Sequence, residues 1–201
     1  MAHTISAAVK SDFISEVIIS TDDEEIADVA ISYGAICPFL RPSELSTDSA
    51  LAVDNYIYTI ERLNSEHGYE IKEFVVLQPT SPLRNIDDID AEISMFKDKK
   101  ADSVISYVEE EHPVFWHKYI NEEHEFEDVF NNSIKNRQDY KKTFYPNGAI
   151  FVFKYDLIKQ KQYYGDKSFA YVMPKDRSVD IDYIDDFEYA EYLMGKRYEN
   201  E

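Results

Sequence analysis

Short apolar runs that alternate with helix-forming segments constrain the fold of this chain most strongly. The runs at residues 16–20 (EVIIS) and 74–77 (FVVL) are too short for helices and have the composition of buried strands. A segment with acidic residues at its start follows the first run at residues 21–33, and a second helical segment covers residues 86–99. This order of strands and helices predicts an α/β sheet.

The other predicted elements extend this pattern. Further strands are predicted at residues 35–39, 102–108, 146–153 and 170–173. Further helices are predicted at residues 1–11, 49–66, 155–160 and 185–194. Between residues 109 and 145 the chain is polar, aromatic and charged without a helical period, which indicates hairpins that leave the main sheet. Exposed aromatic residues there would serve either a dimer interface or a satellite core.

The balance of charge excludes some classes of partner. With 40 acidic and 21 basic residues the formal net charge is -19, whereas an unaided nucleic-acid binder needs a basic surface. The single cysteine, Cys37, excludes an internal disulfide and fits a reducing cytoplasm. No apolar run is long enough to span a bilayer. At 201 residues we expect one compact cytoplasmic domain with neither nucleic acid nor a membrane as partner.

The segment SVDID at residues 178–182 is a candidate metal site. Residues two apart in an extended segment point to the same side, so Asp180 and Asp182 would aim their carboxylates together. Adjacent carboxylates repel each other unless a cation or a proton lies between them, and hard oxygen ligands suit Mg²⁺ or Mn²⁺ with phosphate oxygens. The alternative is a solvated acidic loop before a helix capped by Asp185. The pair alone leaves both interpretations open.

The loop QPTSPLR at residues 78–84 follows the most apolar predicted strand, at the position where ligands bind in open α/β sheets. Gln78 could hydrogen-bond a sugar hydroxyl, and Arg84 could pair with a phosphate or a carboxylate. The alternative is a stiff turn in which Arg84 only braces acidic neighbours. Arg41 is similarly either an anion ligand or part of a surface ion pair, and Asn147-Gly148 has the composition of a hairpin turn.

Six segments that occur in order along the chain point to a family. They are IISTDDEEIADVA (residues 18–30), FLRPSELSTDSA (39–50), VVLQPTSPLR (75–84), ADSVISYVEEEHP (101–113), NRQDYKKTFYPNGAIFVF (136–153) and YVMPKDRSVDID (171–182). Together they closely resemble the acylneuraminate cytidylyltransferases, the CMP-sialic acid synthetases, over nearly the entire chain. The combination of QPTSPLR, PNGAI and SVDID is specific to that group.

The resemblance implies a three-layer α/β fold of the nucleotide-diphospho-sugar transferase type with a mixed sheet. Residues 1–201 would form one cytidylyltransferase domain, and residues 109–145 an excursion through which two copies dimerise. The implied reaction is transfer of CMP from CTP to a nonulosonate such as N-acetylneuraminate, with release of pyrophosphate, for surface glycan synthesis. The implied cofactor is Mg²⁺ or Mn²⁺, and CTP is the co-substrate.

The resemblance also assigns roles to residues at matching positions. The catalytic and metal-binding positions are Asp180 and Asp182. The positions that hold the cytidine end are Arg41, Ala50 and Ala52. The candidate substrate-binding positions are Gln78, Arg84, Asn147, Tyr163 and Tyr164, together with Lys118 and Arg137 in the excursion, which in the family lends basic groups to the partner's site.

The sequence departs from the family pattern in two places. Tyr145 stands where sialate enzymes usually carry arginine, which leaves legionaminate or another nonulosonate open as the substrate. Family members also begin with a strand and a basic, glycine-containing loop that binds the CTP phosphates, whereas this chain starts in the following helix. We therefore expect an amino-terminally truncated domain without its first strand. It would be either the bulk of a nonulosonate cytidylyltransferase or a catalytically incompetent sugar-binding or dimerising remnant.

Overall fold

The computed structural model describes residues 1–130 and 136–198. The helices are α1 (Ala2–Val9), α2 (Glu24–Ser32), α3 (Ala52–Glu66), α4 (Ile86–Lys99), α5 (Tyr155–Ile158) and α6 (Ile184–Tyr198). The strands are β1 (Glu73–Leu77), β2 (Ser103–Glu109), β3 (Lys118–Ile120), β4 (Phe126–Asp128), β5 (Phe144–Lys154) and β6 (Ser168–Val172). Short 3₁₀ turns lie at Ser43–Leu45, Val114–Trp116, Arg137–Asp139 and Lys175–Arg177.

The main sheet has four strands in the order β1-β5-β2-β6. β5 runs antiparallel to β1 and β2, while β6 runs parallel to β2. The carboxyl ends of β1, β2 and β6 therefore meet the amino end of β5, and we call this the loop end of the sheet. The predicted mixed sheet is confirmed.

Two hydrophobic clusters cover opposite faces of this sheet. Val104 of β2 packs in a cluster with Ile93 and the other apolar residues of α4. The next residue, Ile105, packs in a second cluster with Val53 of α3 and Ile158 of α5. Successive residues of a strand point to opposite faces, so the sheet lies between α4 on one side and α3 with α5 on the other. This is the predicted three-layer α/β arrangement.

The strands predicted at residues 16–20 and 35–39 are much shorter than expected. They form a single parallel bridge, Ile18 to Ile36, in which Ile19 N donates to Ile36 O (2.9 Å) and Ile36 N donates to Val17 O (2.8 Å). Pro38 has no N–H group, so it cannot continue the pairing. The apolar runs pack instead in a small cluster with α1 and α2.

A wide bulge interrupts the pairing of β5 with β2 close to the loop end. Ile105 faces Phe151, but Tyr107 faces Pro146, so residues 147–150 of β5 lie opposite Ser106 alone. The Ser106 side chain fills the gap, since its Oγ accepts from Ile150 N at 2.8 Å. The interpretation of Asn147-Gly148 as a hairpin turn is wrong, because both residues lie inside one continuous strand.

The excursion at residues 109–145 contains some aromatic side chains that pack on one another and others that are exposed. Phe115 stacks on Tyr140 with ring centroids 5.5 Å apart and contacts Phe130 edge-on, which makes a satellite cluster. On the β3–β4 hairpin, by contrast, Phe126 keeps 76% of its surface exposed. Residues 131–135 lie outside the described residues, and the dimerising role of the excursion stays a prediction. Within residues 1–130 and 136–198, no helix has the length and apolar character needed to cross a membrane.

Candidate active site

Two loops and the bulge of β5 come together at the loop end of the sheet. The β1–α4 loop (residues 78–85) and the β6–α6 loop (residues 173–183) leave the two edge strands of the sheet at the same end, and they approach each other across the amino end of β5. Ile181 N donates to Thr80 O at 2.9 Å and joins the two loops directly. Ser81 Oγ, which is fully buried, lies 3.4 Å from Asp180 Oδ1. The predicted residues of both loops therefore belong to one site.

Gly148 lies where the side chains of Gln78 and Asp180 meet. A Cβ atom added at Gly148 would be 2.7 Å from Gln78 Oε1 and 2.9 Å from Asp180 Oδ2. Its φ of +74° is also a conformation that side chains rarely adopt. The bulge thus presents bare backbone to an amide oxygen and a carboxylate oxygen that converge on it. Two hard oxygen donors so placed form a small polar cradle.

Asp182 has an exposed side chain two residues after Asp180. Its backbone N–H and that of Tyr183 donate to Asp186 Oδ2 at 3.1 and 2.9 Å, which fixes the start of α6. Asp186 therefore caps the helix, and the alternative that gave this task to Asp185 is wrong. The Asp182 carboxylate makes no ion pair within the described ranges, so it is available for a ligand.

The donor set is suited to a hard divalent cation. Asp180, Asp182 and the amide oxygen of Gln78 are all oxygen donors, which Mg²⁺ and Mn²⁺ prefer over the nitrogen and sulfur ligands typical of zinc. In the part of the chain that the structure describes, no group of three or more histidine, cysteine, aspartate or glutamate side chains gathers as a metal cage. Two carboxylates fit Mg²⁺ nonetheless, because that ion commonly keeps several waters and takes phosphate oxygens.

Arg84 lies behind the cradle rather than at its surface. Its Nε donates to Ala149 O and its Nη1 to Thr4 Oγ1, both at 2.7 Å, while its Nη2 donates to Gln78 O. Burial lowers the pKa of the guanidinium to about 9, and the carboxylate of Asp180 opposes that change, so the group stays charged at neutral pH. This arrangement agrees with the alternative in which Arg84 braces a stiff turn.

Asn147 is also buried and fully engaged. Its Nδ2 donates to Ser178 Oγ at 2.9 Å, and its Oδ1 accepts from Ser106 Oγ at 2.6 Å and from Ala149 N at 3.2 Å. The amide thus ties the bulge of β5 to β2 and to the β6–α6 loop. Asn147 therefore supports the bulge from within, and its contact with a sugar stays a prediction.

The residues predicted for the cytidine end lie together in the chain segment before α3. Arg41 donates from Nη1 to Ser20 O at 3.1 Å and from Nη2 to Ser46 Oγ at 2.9 Å. Ala50 N donates to a neighbouring carbonyl, and Ala52 is the first residue of α3. The guanidinium of Arg41 thereby shapes this loop, and its contact with a nucleotide stays a prediction.

The aromatic pair Tyr163 and Tyr164 lies on the face of the sheet that α3 covers. Tyr163 packs edge-on against Phe153 with ring centroids 5.7 Å apart. The hydroxyl of Tyr164 lies 2.9 Å from that of Tyr107 in β2, next to the bulge. Burial, followed by the hydrogen bond with Tyr164, raises the pKa of Tyr107 to about 12. Tyr107 was not identified from the sequence, because nothing separates it from other strand residues.

The two basic residues predicted in the excursion do not join the cradle of the same protomer. Lys118 pairs with Asp128 across the β3–β4 hairpin, and Arg137 Nη2 donates to Glu111 O. A further ion pair, Lys175 to Glu111 at 2.9 Å, ties the base of the excursion to the β6–α6 loop. The excursion is therefore anchored to the site even though these side chains lie away from it.

Sequence reasoning also missed a buried charged cluster beneath the two loops. Asp88 and Glu92 of α4 are fully buried, and Arg177 donates to both oxygens of Asp88 at 2.8 Å. A signal was present, because the two acids share the helix face of Ile89 and Ile93, which enters the core. Charged residues on an apolar stripe indicate a buried partner.

Comparison with known proteins identifies the family of this chain. The family model described as Cytidylyltransferase matches residues 1–200. This chain belongs to the cytidylyltransferase family. The resemblance inferred from the six segments is thereby confirmed.

Two curated relatives show where the similarity lies. An N-acylneuraminate cytidylyltransferase of Streptococcus agalactiae serotype V is 33% identical over 189 residues, which cover 92% of this chain and 44% of the relative. The chain thus spans about half the length of several curated relatives that it matches. A pseudaminic acid cytidylyltransferase of Campylobacter jejuni serotype O:2 is 30% identical over 100% of this chain and 87% of the relative.

A solved structure supports the fold independently. The CMP:2-keto-3-deoxy-manno-octonic acid synthetase complexed with CTP superposes with a TM-score of 0.68 at 12% identity, covering 97% of this chain and 87% of that one. At such low identity the likeness establishes the fold alone. The family assignment consequently rests on the sequence, and the fold is supported by the solved structure as well.

Proposed function

We propose that this cytidylyltransferase domain transfers CMP from CTP to the anomeric hydroxyl of a nonulosonate sugar. The observation that carries the proposal is the convergence of Asp180 and Gln78 on the bare backbone of Gly148 at the loop end of the sheet. The Asp180 carboxylate suits a metal ion that carries a phosphate, and the Gln78 amide suits a sugar hydroxyl, so the cradle would bring both reactants side by side.

The reaction forms a bond between the anomeric oxygen and the α-phosphorus, breaks the bond from that phosphorus to the pyrophosphate, and releases the proton of the hydroxyl to water. Asp180 and Asp182 would hold Mg²⁺, which when bound neutralises phosphate charge. Gln78 would orient the sugar through its amide, and its backbone is held by Arg84 from behind. Asn147 keeps the floor of the pocket in place through its bond to Ser178.

Tyr145 bears on the identity of the sugar. Tyr145 stands at the start of β5, and burial together with the carboxylate of Glu110 raises its pKa, so its phenol is neutral at pH 7. A neutral group interacts with the sugar carboxylate far less strongly than the arginine usual in sialate enzymes. We therefore propose N-acetylneuraminate and legionaminate as the sugars to compare first. The dimeric state and the cytoplasmic location stay predictions.

Turnover with a panel of sugars tests the proposal. The protein is incubated with CTP, Mg²⁺ and N-acetylneuraminate, legionaminate or pseudaminate, and both pyrophosphate and CMP-sugar are measured. Asp182→Asn should abolish Mg²⁺-dependent turnover while the fold is retained. Asp185→Asn is the matched control, because Asp185 is an exposed acid three residues away and should be dispensable. Equal rates for both variants would contradict the metal assignment.

Calorimetry with CTP and Mg²⁺ separates an enzyme from a sugar-binding or dimerising remnant. An enzyme should bind CTP in a Mg²⁺-dependent manner, and Asp180→Asn should weaken that binding. A protein that binds a nonulosonate but shows no heat with CTP would be a remnant, and the transferase proposal would then be wrong for this chain.

A further inference from the structure

The buried cluster beneath the site contains a connection between its two loops. Asp88 lies in the first turn of α4, where its Oδ2 accepts from Asn85 N at 3.1 Å and Asn85 Oδ1 accepts from Asp88 N at 2.9 Å. This reciprocal capping box fixes the last residue of the β1–α4 loop to the helix. Gln78 and Ser81 belong to the same loop. Asp88 is therefore anchored on the side of the site that carries Gln78.

The same carboxylate holds the other loop. Arg177 Nε donates to Asp88 Oδ2 and Arg177 Nη2 donates to Asp88 Oδ1, both at 2.8 Å, and Tyr171 OH lies 3.4 Å from Oδ1. Arg177 is three residues before Asp180 and ends the 3₁₀ turn that leads into it. A bidentate pair with a planar guanidinium fixes direction as well as distance.

Two weaker links join the same loops at other points. Arg197 of α6 donates from Nη1 to Leu83 O at 2.7 Å and from Nη2 to Asp176 O at 3.1 Å. The backbone bond from Ile181 to Thr80 is the second link. Among these connections, the one through Asp88 joins two ionised side chains with one of them fully buried. Such bonds are roughly twice as strong as bonds between neutral groups.

The candidate metal ligands need this restraint. Asp180 and Asp182 repel each other before a cation binds, and the β6–α6 loop has no strand pairing along residues 178–182 to hold it. A metal site has to be held within about 0.5 Å of its working geometry by supporting contacts, and loops achieve this less easily than helices. Asp88 supplies the rigidity of α4 to a loop that lacks its own.

We propose that Asp88 and Arg177 are positioning residues that hold the Asp180–Asp182 segment against the Gln78 loop. The proposal rests on the proposed function in that it takes Asp180 and Asp182 as the metal ligands. Neither Asp88 nor Arg177 touches the substrates in this scheme. Both act through the placement of Asp180.

The test compares the wild-type protein with Arg177→Gln, Arg177→Lys and Asp88→Asn. Lys154→Gln is the matched control, because Lys154 forms a partly exposed ion pair with Asp102 at 2.9 Å at the opposite end of the sheet. The first measurement is Mn²⁺ affinity without substrates, by electron paramagnetic resonance. Loss of a supporting contact to a metal ligand typically weakens affinity by about 10–100-fold, and we expect this for Arg177→Gln.

The second measurement is amide hydrogen exchange at Ile181, which needs neither metal nor substrate. Exchange at Ile181 should accelerate at least about tenfold in Arg177→Gln and should be unchanged in Lys154→Gln. In Arg177→Lys the acceleration should be smaller, because lysine keeps the charge but not the bidentate geometry. In turnover, kcat should fall more than KM for the sugar rises, because Gln78 stays in place. Asp88→Asn should match Arg177→Gln and replaces it if that variant does not fold.

The outcomes separate the two proposals. If the wild-type protein binds no Mn²⁺, the metal assignment is wrong, and exchange at Ile181 still decides whether Asp88 restrains the loop. If the wild-type protein binds Mn²⁺ while the Arg177 and Asp88 variants keep wild-type affinity and exchange, the positioning role is overturned and the proposed function stands.

Discussion

Replacement of Glu92 by glutamine is expected to remove a pH dependence from the stability of this domain. Glu92 is fully buried on α4, and neither of its carboxylate oxygens has a hydrogen-bond partner within the described residues. Burial raises its pKa well above the ordinary value, the nearby Asp88 carboxylate raises it further, and Arg84 partly opposes both. The side chain therefore keeps its proton in the folded state under conditions where an exposed glutamate is ionised.

The sign and size of the effect follow from proton linkage. A raised pKa means that the folded state binds the Glu92 proton more tightly than the unfolded state does. Above the ordinary pKa of 4.5 the unfolded chain releases that proton, so the free energy of unfolding falls as pH rises. The slope for one proton is about 1.4 kcal/mol per pH unit, and it continues until the folded-state pKa is reached. Glu92→Gln has no proton to release and should lack this slope.

Urea denaturation between pH 5 and pH 8 measures the difference. The advantage of Glu92→Gln over the wild-type protein should grow as pH rises from 5 until the raised pKa of Glu92 is reached. Glu188→Gln, at an exposed position of α6, is the control and should show no such growth. Glu92→Met should add a further gain of about 1–3 kcal/mol, because it also removes the buried polar atoms that have no partner. A difference between wild type and Glu92→Gln that does not change with pH would refute the reasoning.

Three further predictions concern the site and its supports. Gly148→Ala should lower stability by about 1–3 kcal/mol more than Gly68→Ala. Both glycines have a φ of +74°, but only at Gly148 would the added Cβ lie within 3 Å of neighbouring oxygens. Thermal denaturation of both variants checks this. Asn85→Ala should cost about 1 kcal/mol through loss of the α4 cap, measured in the same way. Tyr164→Phe removes the hydroxyl bonded to Tyr107 and should raise KM for the sugar with little change in kcat, which steady-state kinetics would show.

Local signals explain the elements that were predicted well. The helix predicted at residues 86–99 has those bounds in the structure, since Asn85 and Asp88 form a capping box at its start and Lys100 adopts a left-handed conformation at its end. Asp23 likewise caps α2 through Ile26 N. Both signals depend on residues a few positions apart, so the sequence contains them in readable form.

Long-range geometry explains what the sequence did not reveal. The bulge of β5 depends on Ser106, which lies 41 residues before Asn147 in another strand. No local sequence pattern therefore predicts the bulge. The Arg84 side chain is oriented by its hydrogen bonds to Thr4 and Ala149, which are both far from Arg84 in sequence. The motifs therefore pointed to two loops that meet at one end of the sheet, but not to which of their side chains are exposed there and which are buried behind them.

The bulge of β5 also separates two halves of one strand that do different work. Residues 150–154 pair in register with β1 inside the main sheet. Residues 144–146 pair only with the end of β2 and connect to the excursion. The unmatched residues between them include Gly148, and side-chain bonds of Asn147 and Ser106 hold them in place of regular pairing with β2. The position of the cradle therefore depends on these few side-chain bonds, whereas a change in the excursion or at residues 144–146 leaves the pairing of β5 with β1 intact.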